Sequence, residues 1–164
     1  MKNNLKNLCF MSVLASLYFV LTIAFSPMSY GPIQIRISDI LQPFILFGWP
    51  YNVAIAVGTF LANLGSPFGI IDFGMMPFVS LIAGFFGYMT SKQFLKIKFN
   101  QYIGMFVFAH FIAMGVGLVL YVGAGVPYVL GYISVLVSGL ISNFIGVPIV
   151  NKLVSTLKKR GFDI

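Results

Sequence analysis

The stretch Tyr102–Tyr121, YIGMFVFAHFIAMGVGLVLY, carries no charged residue and a single histidine, His110. It sits in a longer interval, between Lys98 and Lys152, that contains no Lys, Arg, Asp or Glu. A hydrocarbon core about 30 Å thick takes roughly 20 apolar residues per helical span. The interval therefore holds two spans joined at Gly123-Ala124-Gly125-Val126-Pro127, a turn by its Gly and Pro content. The same economy of charge extends over the chain, which is 59% hydrophobic and only 8% charged, against roughly 25% charged in an average soluble domain. The expectation is a single all-α integral membrane domain over residues 1–164, with helices at about 8–26, 39–48, 50–63, 73–91, 101–121 and 127–151. No length remains for a soluble catalytic or nucleotide-binding module.

The net charge of +7 does not point to nucleic acid, because the charges are clustered by position. Lys2 and Lys6 lie at the start, Lys92, Lys96 and Lys98 in one connection, and Lys152, Lys158, Lys159 and Arg160 at the end. Only Arg36 stands apart. This is the positive-inside pattern, a signal of topology. It fits six spans with both termini cytoplasmic if Gly48-Trp49-Pro50 is a turn, and five spans if those residues kink one long helix; charge separates the two weakly. Trp49 is expected at the inner interface. The basic, apolar N-terminus has no small-residue cleavage site after it and reads as a retained first helix. Cys9 is the one cysteine, so an intramolecular disulfide and a zinc-type cluster are excluded.

Small residues at helical spacing mark close packing. On the first helix these are Ser12, Ala15 and Ser16, facing either a helix of the same chain or a partner subunit. Ala54, Gly58 and Ala62 form a second strip, Ala109, Ala113 and Gly117 a third, and Ser134, Ser138, Ser142 and Gly146 a fourth.

Two polar interruptions break the apolar pattern: Tyr30-Gly31-Pro32-Ile33-Gln34-Ile35-Arg36-Ile37-Ser38-Asp39, and Asn63-Leu64-Gly65-Ser66-Pro67-Phe68-Gly69-Ile70-Ile71-Asp72. With six spans both fall on the outer side. Ionisable groups beside a membrane are costly and are usually paired or functional. Two readings follow. In one, Arg36 pairs with Asp39, Asp39 caps the next helix in a capping box with Gln42 (or Gln42 caps with Pro43 at the first helical position), and Asp72 caps at Phe73. In the other, Arg36, Asp39 and Asp72 line an outward pocket with Gln34, Asn63 and nearby aromatics. Enzyme chemistry is poorly supported. Cys9 has no partner histidine, His110 has no carboxylate at a triad or metal spacing and reads as an interhelical hydrogen bonder, and no P-loop is present.

These two interruptions resemble the signature loops of the QueT family, and the resemblance extends over the chain in length and span pattern. It implies a substrate-capturing (S) component of an energy-coupling factor (ECF) transporter for queuosine precursors. Implied with it are a six-helix bundle with cytoplasmic termini, a turn at Gly48-Trp49-Pro50, and a location in the bacterial cell membrane. The implied partners are a transmembrane coupling subunit and two ATPase subunits, which hydrolyse ATP while this chain carries no cofactor. S components carry Ala-x-x-x-Ala on the first helix as a docking face; here Ser12 and Ser16, with Ala15 adjacent, are the nearest match.

The implied ligand is a 7-deazaguanine such as preQ1, queuine or preQ0. Its guanine edge offers N1–H and N2–H₂ as donors and O6 as acceptor. A carboxylate can take both donors, while Arg36, Gln34 or Asn63 reaches O6. With N7 replaced by carbon the paired acceptors that arginine grips in guanine are gone, so Arg36 serves as the O6 donor or as a clamp on Asp39. Tyr30, Phe68, Phe73 and Tyr128 are candidates to stack on the ring. The three charges sum to −1, which suits a precursor bearing a protonated amine. The alternatives are an S component for another vitamin-like substrate and a non-transporting structural membrane protein.

Overall fold

A 3-10 helix occupies the centre of the bundle. The computed structural model describes residues 2–30, 36–94, 96–97 and 99–162. Its elements are α1 (Lys2–Ala24), the single turn α2 (Ser26–Ser29), the 3-10 helix η1 (Ile37–Phe47), α3 (Trp49–Asn63), α4 (Ile70–Gln93), α5 (Asn100–Ala124) and α6 (Tyr128–Lys159). No strand occurs among the described residues. α1, α4, α5 and α6 each contain a stretch long and apolar enough to cross a membrane. α1, α3, α4, α5 and α6 pack in that order, each on the next, and η1 fills the space between α6 and α1 while also touching α3, α4 and α5.

The sequence leads one to expect an α-helix at 39–48 with Asp39 in a capping box; the chain does otherwise. η1 begins at Ile37, Arg36 is its N-cap without a side-chain bond, and Pro43 lies inside it. Proline removes a backbone donor and clashes with the carbonyl four residues back in an α-helix; Pro77 of α4 and Pro148 of α6 are nonetheless held in α-helices, so Pro43 disturbs the winding here without alone setting it. Eleven residues of 3-10 helix is long. Such backbone is tolerated at membrane depth where protein rather than lipid surrounds it, and most of η1 is buried. In a 3-10 helix, side chains three apart eclipse one another. Gln42 consequently donates to the Asp39 carboxylate at 2.7 Å and does not reach back to a backbone N–H. The expected cap at Asp72 is also absent: α4 starts at Ile70 with Gly69 as its N-cap, and no side chain caps it.

Gly48-Trp49-Pro50 forms a turn. Gly48 takes φ 145° and ψ 168°, a conformation essentially restricted to glycine. α3 then starts at Trp49 and packs back on η1. At this end Phe10 of α1 meets both Phe44 and Tyr51. The C-terminus joins them: Gly161 adopts φ 81°, Phe162 N–H donates to Leu157 O and Gly161 N–H to Lys158 O, the Schellman pattern. Phe162 thereby lands on Phe10. Gln101 and Asn151 exchange two amide bonds, at 3.1 and 2.7 Å, which brings the start of α5 to the same end. α6 runs to Lys159, past the expected boundary at 151. The Ala54, Gly58 and Ala62 strip packs closely: Ala15 of α1 lies so near Gly58 of α3 that an added Cβ would sit 2.9 Å from the Ala15 carbonyl.

Candidate ligand-binding site

At the opposite end, η1 starts beside the two polar interruptions, and the buried charges gather there. Arg36 and Asp39 face a cavity of 20 Å³, room for about one water, together with Tyr18, Gln42, Thr59, Met76, Ile112, Val116, Val135 and Ser138. α1 places Tyr18 and Thr22 one turn apart on its inner face. The Tyr18 hydroxyl donates to Asp39 Oδ1 at 2.9 Å, and the Thr22 hydroxyl meets Ser38 Oγ at 2.7 Å. With Gln42 Nε2, two donors converge on Asp39 Oδ1.

Arg36 is turned away from its expected partner. Its Nε donates to Ser29 O at 3.2 Å, its guanidinium lies 5.5 Å from the centre of the Tyr30 ring, and Nη2 is buried without a hydrogen-bond partner. No direct Arg36–Asp39 pair is formed among the described residues. Tyr30 reaches over from Arg36 to α3, where its hydroxyl donates to Ala62 O at 2.5 Å; burial raises its pKa above the ordinary phenol value, so it remains a donor.

The next residue along α3 is Asn63, fully buried. Its Nδ2 donates to Asp72 Oδ1 at 3.2 Å. Ser66 neighbours the same carboxylate; its hydroxyl accepts from the Phe68 N–H, which leaves its own proton to face that carboxylate. Asp72 Oδ2 and Asn63 Oδ1 are buried and unpartnered. Arg36 acts through space on both aspartates. Leaving a buried polar atom unpaired costs about 1–3 kcal/mol, more for charged groups, so three such atoms in one neighbourhood mark a site prepared for something else.

Tyr30, Arg36, Asp39, Asn63 and Asp72 are thus brought together. Gln34 lies outside the described residues. Phe68 packs against Gly123 near the end of α5, Phe73 against Phe60, and Tyr128 stacks on Tyr132 and borders an apolar groove between α4 and α5; none of the three lines the cavity. His110 bonds Phe106 O within its own helix, contrary to the interhelical role expected of it. On α1, Ser12 and Ser16 are exposed and border a shallow groove with Val13, Leu17 and Val20, whereas Ala15 is buried on the other face.

Sequence reasoning missed Tyr18, Thr59 and Gln42 as cavity residues. Their signal was polar groups at helical spacing in apolar runs, Tyr18 with Thr22 and Thr59 with Asn63, and Gln42 three residues after Asp39.

A family profile described as QueT transporter matches residues 8–155. The chain belongs to the QueT transporter family. A relative from Lactococcus lactis subsp. cremoris, named queuosine precursor transporter QueT, is 30% identical over 152 residues, covering 87% of this chain and 88% of that protein. No solved structure matches the chain. QueT members are transporters, not enzymes, and the buried charges belong to a multi-pass membrane protein.

Proposed function

We propose that the chain is the substrate-capturing subunit of an energy-coupling factor importer and binds a 7-deazaguanine queuosine precursor on the outer side. The observation that carries this reading is the convergence of Arg36, Asp39, Asn63 and Asp72, with orphaned polar atoms, at one end of an apolar bundle. Membrane burial makes such a set expensive unless it is functional. Family membership and the printed name of the Lactococcus relative supply the chemical class.

Six crossings suit the charge pattern. η1 and α3 are each about 22 Å long at 2.0 and 1.5 Å per residue, short of the hydrocarbon core, and together they form a hairpin inside the bundle. Lys92, Lys152, Lys158 and Lys159 then lie on the cytoplasmic side with both termini, and the Arg36 cluster opposite them. Tyr30, already over Arg36, is an aromatic face beside the charges, and Gln34, two residues before Arg36 in sequence, is retained as a ligand contact. A bicyclic base exceeds a 20 Å³ cavity, so binding opens the site. The exposed Ser12 and Ser16 on α1 offer the docking face for the coupling subunit, whose two ATPase partners supply the energy.

The test is calorimetric titration of the purified chain with 7-deazaguanines in detergent, without ATP, beside uptake into proteoliposomes. Binding without ATP and no ATP-driven uptake by the chain alone is the expected result. Robust ATP-driven uptake by the chain alone, or no binding, overturns the reading.

A further inference from the structure

Resting on that reading of the site, we infer a division of labour along the base: Asn63 accepts from N2–H₂, Asp72 Oδ2 from N1–H, Arg36 Nη2 donates to O6, and Asp39 meets the cationic substituent at C7.

The assignment follows from which atoms are left without partners and from the order of the residues that carry them. Six buried side-chain atoms are unpartnered among the described residues. Two belong to Asn143 of α6, and one, Asn52 Oδ1, is wedged where α3 passes Gly84 of α4. The remaining three are Arg36 Nη2, Asp72 Oδ2 and Asn63 Oδ1. As hydrogen-bonding groups they read donor, acceptor, acceptor. The guanine edge reads acceptor at O6, donor at N1 and donor at N2, so the two sets are complements.

Their order agrees too. Asp72 stands between the others: it is hydrogen-bonded to Asn63 and is under the field of Arg36. N1–H likewise stands between O6 and the 2-amino group. Arg36 is close enough to both Asp72 and Asp39 for its charge to act on each, and in a 7-deazaguanine O6 has N1 on one side and the C7 substituent on the other. The division takes these neighbours in the order in which the ligand presents its groups.

Lone pairs decide which carboxylate takes which group. Asp39 Oδ1 already accepts from Tyr18 and Gln42, which uses both of its lone pairs. Only Oδ2 remains, enough for one ammonium contact and unsuited to a side-on grip of two N–H groups. Asp72 has one bond on Oδ1 and none on Oδ2, and the neighbouring Asn63 oxygen extends that acceptor surface.

Two ligand ratios separate the roles. The first compares 7-deazaguanine with 7-deazahypoxanthine, which lacks only the 2-amino group. The second compares 7-aminomethyl-7-deazaguanine with its 7-cyano counterpart. Calorimetry on wild type, Asn63→Ser, Asp72→Asn and Asp39→Asn, with thermal melts beside it, reads both. Asn63→Ser, which withdraws the acceptor facing N2–H₂, is expected to shrink the 2-amino preference by about two- to ten-fold, the effect of losing a neutral hydrogen bond, and to leave the second ratio alone; Asp72→Asn, facing the N1–H that all four ligands carry, is expected to weaken all four by about ten- to a hundred-fold and to leave both ratios alone. Asp39→Asn is expected to shrink the aminomethyl preference by a similar factor and to leave the first ratio alone. If Asp72→Asn does not fold, the ratios of Asn63→Ser and Asp39→Asn still separate the two ends of the base. Exchanged effects, or an Asp72→Asn variant that changes either ratio or binds all four ligands like wild type, overturn the division while leaving the ligand class standing. Failure of wild type to bind any of the four overturns the ligand class itself, and the division with it.

Discussion

The Tyr18 hydroxyl donates to Asp39 Oδ1 at 2.9 Å across 21 residues of sequence, with both side chains buried. The bond ties the first helix of the bundle to its central element at the point where the cavity begins. It also holds the carboxylate in one rotamer, with Gln42 as the second donor on the same oxygen.

Removing that donor tests how much the tie contributes. Tyr18→Phe keeps the ring and deletes only the hydroxyl. A hydrogen bond to a charged group contributes about 1.5–3 kcal/mol, so a clear fall in melting temperature is expected, together with weaker binding of a cationic 7-deazaguanine. A variant that melts and binds like wild type would show that Gln42 alone fixes Asp39.

Gly146 tests the seat of η1 on α6. A Cβ there would run into the backbone of Ile40, its carbonyl oxygen first. Backbone cannot step aside as a flexible side chain can, so Gly146→Ala is expected to destabilise by about 1–3 kcal/mol, the range for overpacking. Gly139, on the same helix, has open space around its Cβ position. Gly139→Ala should melt at or slightly above the wild-type temperature, since alanine favours helix by about 1 kcal/mol. Equal melting of the two variants would contradict the close approach.

Gly48 tests the turn between η1 and α3. Its φ of 145° with ψ 168° costs any L side chain about 1–3 kcal/mol, although nothing nearer than 3.6 Å crowds the position. Gly48→Ala is therefore expected to lower the melting temperature through backbone strain alone. A wild-type melt would mean that the chain turns there without needing glycine.

The apolar runs and the placement of the basic residues made the membrane class legible, because lipid imposes length and composition directly on sequence. The Gly48-Trp49-Pro50 turn was visible as a breaker, but charge could not decide between a turn and a kink; the glycine conformation does. The 3-10 winding of η1 was not legible. Pro43 signals a disturbance, yet the winding is set by what surrounds the segment, and Asp39 therefore lost its capping role to a contact with Gln42. Arg36, Asp39, Asn63 and Asp72 stood out as polar groups in an apolar chain. Tyr18 did not, since an aromatic in a membrane helix looks like packing until its hydroxyl is seen to find a carboxylate. Phe68 and Tyr128 show the converse: aromatics beside a polar loop in sequence that fold onto other faces.

The face of α1 is where sequence spacing and structure divide most sharply, and it yields the last test. Ser12, Ala15 and Ser16 read as one small patch, but their side chains point to two sides. Ala15 is buried against α3, where its carbonyl crowds Gly58. Ser12 and Ser16 are exposed, and Ser12 bonds Leu8 O of its own helix. A helix from another subunit can approach closely only over small residues. Ser12→Leu with Ser16→Leu is therefore expected to weaken association with the proposed coupling subunit, read by co-purification and by uptake in the full complex, while ligand binding by the isolated chain and its melting temperature stay near wild type. Ala15→Leu is expected to behave in the opposite way. It overpacks the α1–α3 contact, at a cost of about 1–3 kcal/mol, and lowers the melt of the isolated chain before any partner is present. If the double serine variant loses ligand binding and keeps its partner, the exposed face of α1 is not where the coupling subunit docks.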